Sequence, residues 1–368
     1  MEHFTDTPSR RLFSLDVFRG AIMFLLIAEA AGVHESIINL GNGTSVQNLT
    51  LQLQHHPWNG LRFWDLIQPF FMFIVGVAMP FSLRKRLATG SHTAVTRHIL
   101  RRCFLLFSFG AILHCIYSLG PVWELWNVLV QLAFTILIAY AIMNRPHRFQ
   151  VVVSIALLLL TEVLYRAYNP EAPYAQNHES FGAWFDMLTM GKTNSGYWVF
   201  VNFLPTAAHT IWGVVCGQLL LSKNSGKQNL KLFIVWGISI TILGYGMDWL
   251  EITPIVKRIA TSSFTLASGG ISILTLAFFY WAIDVKGYRK NWLKIFSVVG
   301  TNSIFIYLFS ETFGHLIFRE FDILLSMGFL DPLMSIKNWI LLGEALLILL
   351  FLWWITFFLD KRKIYFKV

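Results

Sequence analysis

The sequence predicts an all-α membrane protein, a bundle of about ten transmembrane helices with both termini in the cytoplasm. Of its 368 residues, 55% are hydrophobic and only 13% are charged, against roughly 25% charged residues in an average soluble domain. The apolar residues form runs that each approach the ~20 residues needed to cross a bilayer core. These runs are 14–38, 61–83, 98–119, 122–143, 149–168, 200–222, 230–249, 262–284, 294–318 and 338–359.

The charges between the runs set the expected orientation in the lipid bilayer. Lys and Arg cluster in every second connection, as at 84–86 and 286–290, and near both ends of the chain. The alternate connections, which include 39–60 and 169–199, carry few positive charges. Because basic loops stay in the cytoplasm, both termini are expected there. The net charge of +9 therefore reflects membrane topology, and we expect no nucleic-acid partner.

The first apolar run has some features of a signal peptide. Arg10 and Arg11 precede it, and the small-residue pattern at 28–30 resembles a cleavage site. Asp16 and Arg19 interrupt the start of the run, however, which leaves a poor apolar region for secretion. We expect the segment to stay as the first helix and 1–368 to form a single transmembrane domain.

Ionisable and polar residues inside the runs are costly in lipid and often functional. Asp16 and Arg19 are three residues apart, so they share a helix face, either as a structural ion pair or as a ligand contact. Glu29 lies deeper and must be paired, hydrated or protonated. Further polar residues either bind a ligand or hydrogen-bond between helices: Gln131, His209, Asn302, Ser303, Glu311 and His315.

A pair of histidines precedes the second run, on the expected outer side. Imidazole titrates near neutrality and serves as a base or a nucleophile. Asp65 follows His55 and His56 closely enough to orient one of them. The histidines lack the i, i+4 spacing of a helical zinc site, and no Cys/His cluster accompanies them, so no metal is expected.

Two blocks of sequence resemble a known family. Residues 11–20, Arg-Leu-Phe-Ser-Leu-Asp-Val-Phe-Arg-Gly, fit the pattern R-x-x-S-x-D-x-F-R-G, and residues 55–76 fit H-x-x-W-N-G-x-x-x-x-D-L-x-x-P-x-F-x-F-I-x-G. Both patterns are similar to those of the heparan-α-glucosaminide N-acetyltransferase family. Weaker similarities follow in the same order at 130–131, 284–287, 302–304 and 361–368.

The resemblance implies a transmembrane acetyltransferase. Enzymes of this family move acetyl from cytosolic acetyl-CoA to a glucosamine amine across the membrane, and their catalytic histidine corresponds to His55, with His56 one residue away. Ala30 stands where the family has an Asn, with Glu29 beside it. The animal enzyme's large lumenal region is missing from this chain. We therefore expect a bacterial relative in the inner (cytoplasmic) membrane that acts on small amino sugars.

A catalytic scheme follows as a hypothesis. His55 takes a proton from the amine or first accepts the acetyl group. Asp65 holds its tautomer, Asn59 and Asn302 donate to the thioester oxygen, and either His56 or Glu29 is a candidate for sharing the catalytic role.

The acetyl-CoA site is expected to begin at the cytoplasmic rim, where basic side chains match phosphate charge. The candidate residues are Asp16, Arg19, Arg84, Lys85, Arg101, Asn302 and Ser303. Two other functions stay open, a sugar or amino-sugar transporter and an O-acetyltransferase of surface glycans. A homodimer stays open as well.

Overall fold

The computed structural model describes residues 12–88, 90–222, 225–314 and 337–366. Arg10, Arg11, His315 and most of the predicted connection 319–337 lie outside the described residues. Within the described ranges the regular structure is helical, apart from one antiparallel bridge between Asn59 and Val256.

The described residues form fourteen α-helices. In chain order they are α1 (Phe13–Ala30), α2 (Val33–Gly41), α3 (Gln47–Thr50), α4 (Ile67–Leu87), α5 (His92–Tyr117), α6 (Val128–Ile142), α7 (His147–Tyr168), α8 (Phe181–Met190), α9 (Phe203–Leu221), α10 (Gly226–Trp249), α11 (Ser262–Phe279), α12 (Lys294–Thr301), α13 (Ser303–Phe309) and α14 (Lys337–Lys361).

Seven helical segments among the described residues are long and apolar enough to cross a membrane. Two bent pairs, α1 with α2 and α12 with α13, raise the number to nine if each pair is one span. Each of the ten predicted runs contains helix within its described residues, but α6 has only 15 residues, about 22 Å at 1.5 Å per residue. The helical fold is thus confirmed for the described residues, and its seven to nine candidate spans are consistent with a membrane protein, while the count of ten and the orientation stay predictions.

The centre of the bundle is the pair α4 and α9, which also contacts α1, α6 and α11. Glycines let the two helices approach closely. A Cβ atom on Gly76 would lie 2.1 Å from the Thr210 carbonyl oxygen, and one on Gly213 would lie 2.2 Å from that of Phe73. In lipid the hydrophobic effect does not favour association of helices, so close van der Waals contacts at small residues stabilise the pair.

Two predicted helices are broken where the sequence suggested continuous ones. The run 14–38 bends by 70° between α1 and α2, at Gly32, whose φ of 82° lies in the left-handed region. The run 294–318 bends by 73° at Asn302. The Asn302 amide donates to the Ile364 carbonyl oxygen (3.0 Å) and accepts from the Phe366 N–H (2.9 Å), which ties the C-terminal segment to the break.

Candidate functional site

A cavity of about 370 Å³ opens near the end of the bundle where α4 begins. Its volume lies within the roughly 300–1,000 Å³ typical of small-molecule sites. Helices α1, α4, α5, α6 and α13 contribute to its wall, together with the connections 42–62, 191–199 and 250–261. The ionisable and polar residues at the wall include Glu29, His55, Gln131, Lys257, Ser303 and Glu311.

The structure places Asp65 beside His55; His55 lines the cavity wall, and Asp65 is buried behind it. Asp65 Oδ1 lies 2.9 Å from His55 Nδ1. Asp65 Oδ2 accepts the backbone N–H groups of His56 (3.1 Å) and Arg62 (2.9 Å), and its side chain is only 1% exposed. A carboxylate held by two backbone donors favours the tautomer in which Nδ1–H donates to it. The remaining ring nitrogen, Nε2, then carries a lone pair.

His55 and His56 have different surroundings. Gly60 has φ +145°, and a Cβ atom there would lie 2.6 Å from His56 Nε2. The His56 ring therefore packs against the turn and does not belong to the cavity wall. The His55 ring, whose side chain is 37% exposed, faces Trp198 edge-on at 5.7 Å between ring centroids.

A lysine that sequence reasoning did not select completes this cluster. Lys257 Nζ lies 3.0 Å from His55 Nδ1 and 3.7 Å from Asp65 Oδ1, with the lysine side chain 8% exposed. Burial lowers the pKa of Lys257 to about 8, although Asp65 and Glu29 oppose the shift. Burial and the Lys257 charge lower the pKa of His55, against the opposing effect of Asp65.

Glu29, the deep carboxylate of α1, also reaches the cavity. Its Oε1 accepts a hydrogen bond from Trp64 Nε1 at 2.8 Å. Glu311 lies at the same wall and accepts from the Tyr117 hydroxyl at 2.5 Å. Two carboxylates on the cavity wall suit a cationic group such as an ammonium.

Other predicted site residues lie elsewhere. The Asn59 side chain is exposed and outside the cavity wall, so its expected donation to the thioester oxygen lacks geometric support. Asn302 is engaged at the C-terminal segment, but the adjacent Ser303 lines the cavity. Among the described residues, no group of three His, Cys, Asp or Glu side chains could hold a metal ion.

The predicted phosphate-binding residues lie at the opposite end of the bundle. Asp65 and Arg84 occupy opposite ends of the helical segment Phe63–Leu87, about 28 Å apart at 1.5 Å per residue. Arg84 is half-buried, whereas Lys85 and Arg101 are exposed. Arg19 Nη2 contacts Asp16 Oδ1 at 3.5 Å, as the spacing predicted.

Arg102 is a better interior candidate than its neighbour Arg101. Its Nε is buried without a hydrogen-bond partner among the described residues. The charges of Arg19 and Arg86 act on it. A cluster of cations from α1, α4 and α5 in which the buried Arg102 Nε is left unsatisfied favours an anionic ligand. The sequence shows two consecutive arginines, at 101 and 102, but only the structure shows that Arg102 lies on the inner face of α5 and Arg101 on the exposed face.

Comparisons with known proteins relate the sequence to one family. A family model described as "Heparan-alpha-glucosaminide N-acetyltransferase, catalytic" matches residues 11–245. The heparan-alpha-glucosaminide N-acetyltransferase of Mus musculus is 31% identical over 121 residues, which are 32% of this chain and 16% of that protein. The Homo sapiens protein of the same name is 33% identical over 117 residues, 31% of this chain and 16% of that protein.

Proposed function

The chain belongs to the heparan-alpha-glucosaminide N-acetyltransferase family, and we propose that it transfers acetyl from acetyl-CoA to the amine of glucosamine or a related amino sugar. The observation that carries this proposal is that His55, which lines the cavity, has its Nδ1 only 2.9 Å from the buried Asp65 carboxylate. An imidazole whose Nδ1 is bound to a carboxylate presents Nε2 for proton or acyl transfer.

The reaction allows two roles for Nε2. As a base, it removes a proton from the sugar ammonium, the amine attacks the thioester carbonyl, and the thiolate of CoA leaves. As a nucleophile, Nε2 attacks the thioester, the thiolate leaves, and the acetyl group passes from the imidazole to the amine. Either route yields an amide, CoA and one proton, and either requires a neutral imidazole at the start.

The cavity wall suits the acceptor. An amino sugar arrives as an ammonium, and Glu29 and Glu311 provide carboxylates at the same wall as His55. Trp64 and Trp198 also line the cavity, and flat aromatic rings pack against the apolar faces of sugars. We infer that these groups hold the amine close to Nε2.

The donor enters from the opposite end in this proposal. Arg102, with Arg19 and Arg86 nearby, provides positive charge for the phosphates of acetyl-CoA. The pantetheine arm would then run along α4 towards His55, so that donor and acceptor approach from opposite compartments. This arrangement keeps the sidedness expected from the charge distribution.

The test is labelled acetyl-CoA with a panel of hexosamines and purified protein. His55→Ala is expected to lower the transfer rate by about 10²–10⁴-fold, the usual contribution of a general base. His56→Ala is the matched control, because it keeps the backbone N–H that binds Asp65, and it should stay within a few-fold of the unmodified protein.

The product and the transport assay separate the rival functions. An N-acetyl product resists mild alkali, whereas an O-acetyl ester is hydrolysed. Glucosamine counterflow in proteoliposomes without acetyl-CoA would instead favour a transporter. Normal transfer by a folded His55→Ala protein would contradict the proposal.

A further inference from the structure

Lys257 is the buried cation at the candidate site, and it lies beyond the residues 11–245 that the family model matches. Its Nζ is 3.0 Å from His55 Nδ1 and 3.7 Å from Asp65 Oδ1. The three atoms therefore form a triangle in which one carboxylate and one ammonium compete for the same ring nitrogen. Nδ1 cannot donate to Asp65 and accept from Lys257 at the same time. With the proton on Nδ1 and donated to Asp65, the Lys257 ammonium turns its own protons to the same carboxylate, and its charge disfavours a positive charge on the ring.

The backbone holds Lys257 in this position. The Gly60 N–H donates to the Ile255 carbonyl oxygen at 2.8 Å, and Asn59 forms its bridge with Val256. These contacts fasten the connection 250–261 to the turn that follows His55. Lys257 Nζ also lies 5.4 Å from the centroid of the Trp198 ring, a cation–π distance. The ammonium is thus part of a built cluster and not a mobile surface group.

The charges that act on the His55 ring belong to three residues. Asp65 favours the imidazolium, whereas Lys257 and, with a smaller effect, Arg258 oppose it. Glu29 acts on Lys257 and favours its charged form. Since the pKa of Lys257 is about 8, the ammonium is charged through the neutral and mildly acidic range, where an imidazole bound only to a carboxylate would begin to protonate.

We propose that Lys257 is a positioning residue for His55, whose ammonium keeps the imidazole neutral so that Nε2 retains its lone pair at neutral and mildly acidic pH. The inference rests on the proposed function for its purpose, since both routes of acetyl transfer begin with that lone pair. Its electrostatic content can be measured without any acetyl transfer.

Removing the charge of Lys257 should raise the pKa of His55. Loss of a like charge within 4–6 Å typically shifts a pKa by about 1–3 units, so Lys257→Met should move the titration midpoint of His55 upward by at least about one unit. Lys257→Gln should shift the midpoint in the same direction, and Lys257→Arg, which keeps the charge, should leave it close to the original value.

The measurement is the pH dependence of carbethoxylation by diethyl pyrocarbonate, which reacts with neutral imidazole. Tandem mass spectrometry assigns the modification to His55 and not to His56. Arg258→Met is the matched control, because it removes a cation from the adjacent residue that donates to the Gly196 carbonyl oxygen and lies outside the cavity wall. Its effect on the midpoint should be clearly smaller.

The pH profile of acetyl transfer provides the second measurement. In Lys257→Met and Lys257→Gln the acidic limb of the profile should move to higher pH by the same amount as the His55 midpoint. A folded Lys257→Met protein with an unchanged midpoint would overturn the proposal, as would an equal loss of rate at every pH, because a purely structural role predicts that result. If the Lys257 variants shift the His55 midpoint but the unmodified protein transfers no acetyl group, the electrostatic role of Lys257 is supported and the proposed function is rejected.

Discussion

Replacing Asp65 with asparagine tests how the site orients His55. In Asp65→Asn, the amide oxygen is expected to keep the position of Oδ2, because two backbone N–H groups donate there at 3.1 and 2.9 Å. The NH₂ group then faces His55 Nδ1, which must accept instead of donate. The ring proton moves to Nε2, and the lone pair that the reaction needs is lost.

The expected loss is large because the whole contribution of the base disappears. We expect the rate of transfer of labelled acetyl to fall by about 10²–10⁴-fold. Stability should fall too, since Lys257 loses its carboxylate partner while both side chains are buried, at 8% and 1% exposure. Breaking a buried pair from one side costs about 3–5 kcal/mol, which thermal unfolding of the purified protein would detect.

The double variant Asp65→Asn/Lys257→Met separates the two effects. It removes the uncompensated ammonium, so much of the lost stability should return. Activity should stay low, because the asparagine still donates to Nδ1. The reasoning is refuted if Asp65→Asn alone transfers acetyl within tenfold of the unmodified rate, or if the double variant regains activity together with stability.

Three further predictions address the packing, the donor and the acceptor. Gly213→Ala should destabilise the protein by about 1–3 kcal/mol through the clash with the α4 backbone, whereas Gly246→Ala, with no atom within 4 Å, should not; thermal unfolding compares them. Arg102→Gln should raise KM for acetyl-CoA about 10–100-fold, the value of one charge-assisted hydrogen bond, and exposed Arg101→Gln should leave it unchanged. Glu29→Gln keeps an acceptor for Trp64 but loses the charge, so KM for glucosamine should rise about tenfold while KM for acetyl-CoA stays constant.

The sequence was sufficient to predict the helical membrane architecture, because long apolar runs need only local information. It also predicted the pairing of His55 with Asp65, which lie ten residues apart in one turn and helix start. Lys257 could not be selected in the same way. It contacts His55 from 202 residues further along the chain. The backbone hydrogen bond from Gly60 to Ile255 holds the two segments together. Its one local sign was a pair of positive charges, Lys257 and Arg258, in a set of connections otherwise poor in Lys and Arg.

Asn302 illustrates a second limit of sequence reasoning. A buried amide within an apolar run is compatible with a ligand contact or with a structural hydrogen bond. Here the Asn302 amide forms hydrogen bonds with the backbone of Ile364 and Phe366, which lie more than 60 residues away in the sequence. Hydropathy identified the polar residue, but only the position of the C-terminal segment decides which partner it has.

The two broken helices locate the cavity from an independent direction. In lipid, interrupted helical backbone is tolerated where it is buried in protein or lines a polar cavity, since unpaired N–H and C=O groups cost several kcal/mol each. Glu29 lies just before the first bend, and Ser303 directly follows the second; both line the cavity that contains His55. At the second bend, the carbonyl oxygen of Ile364 in the C-terminal segment accepts a hydrogen bond from the Asn302 amide. Both breaks therefore border the cavity that His55 lines, which is where the proposed function requires polar substrate groups to enter.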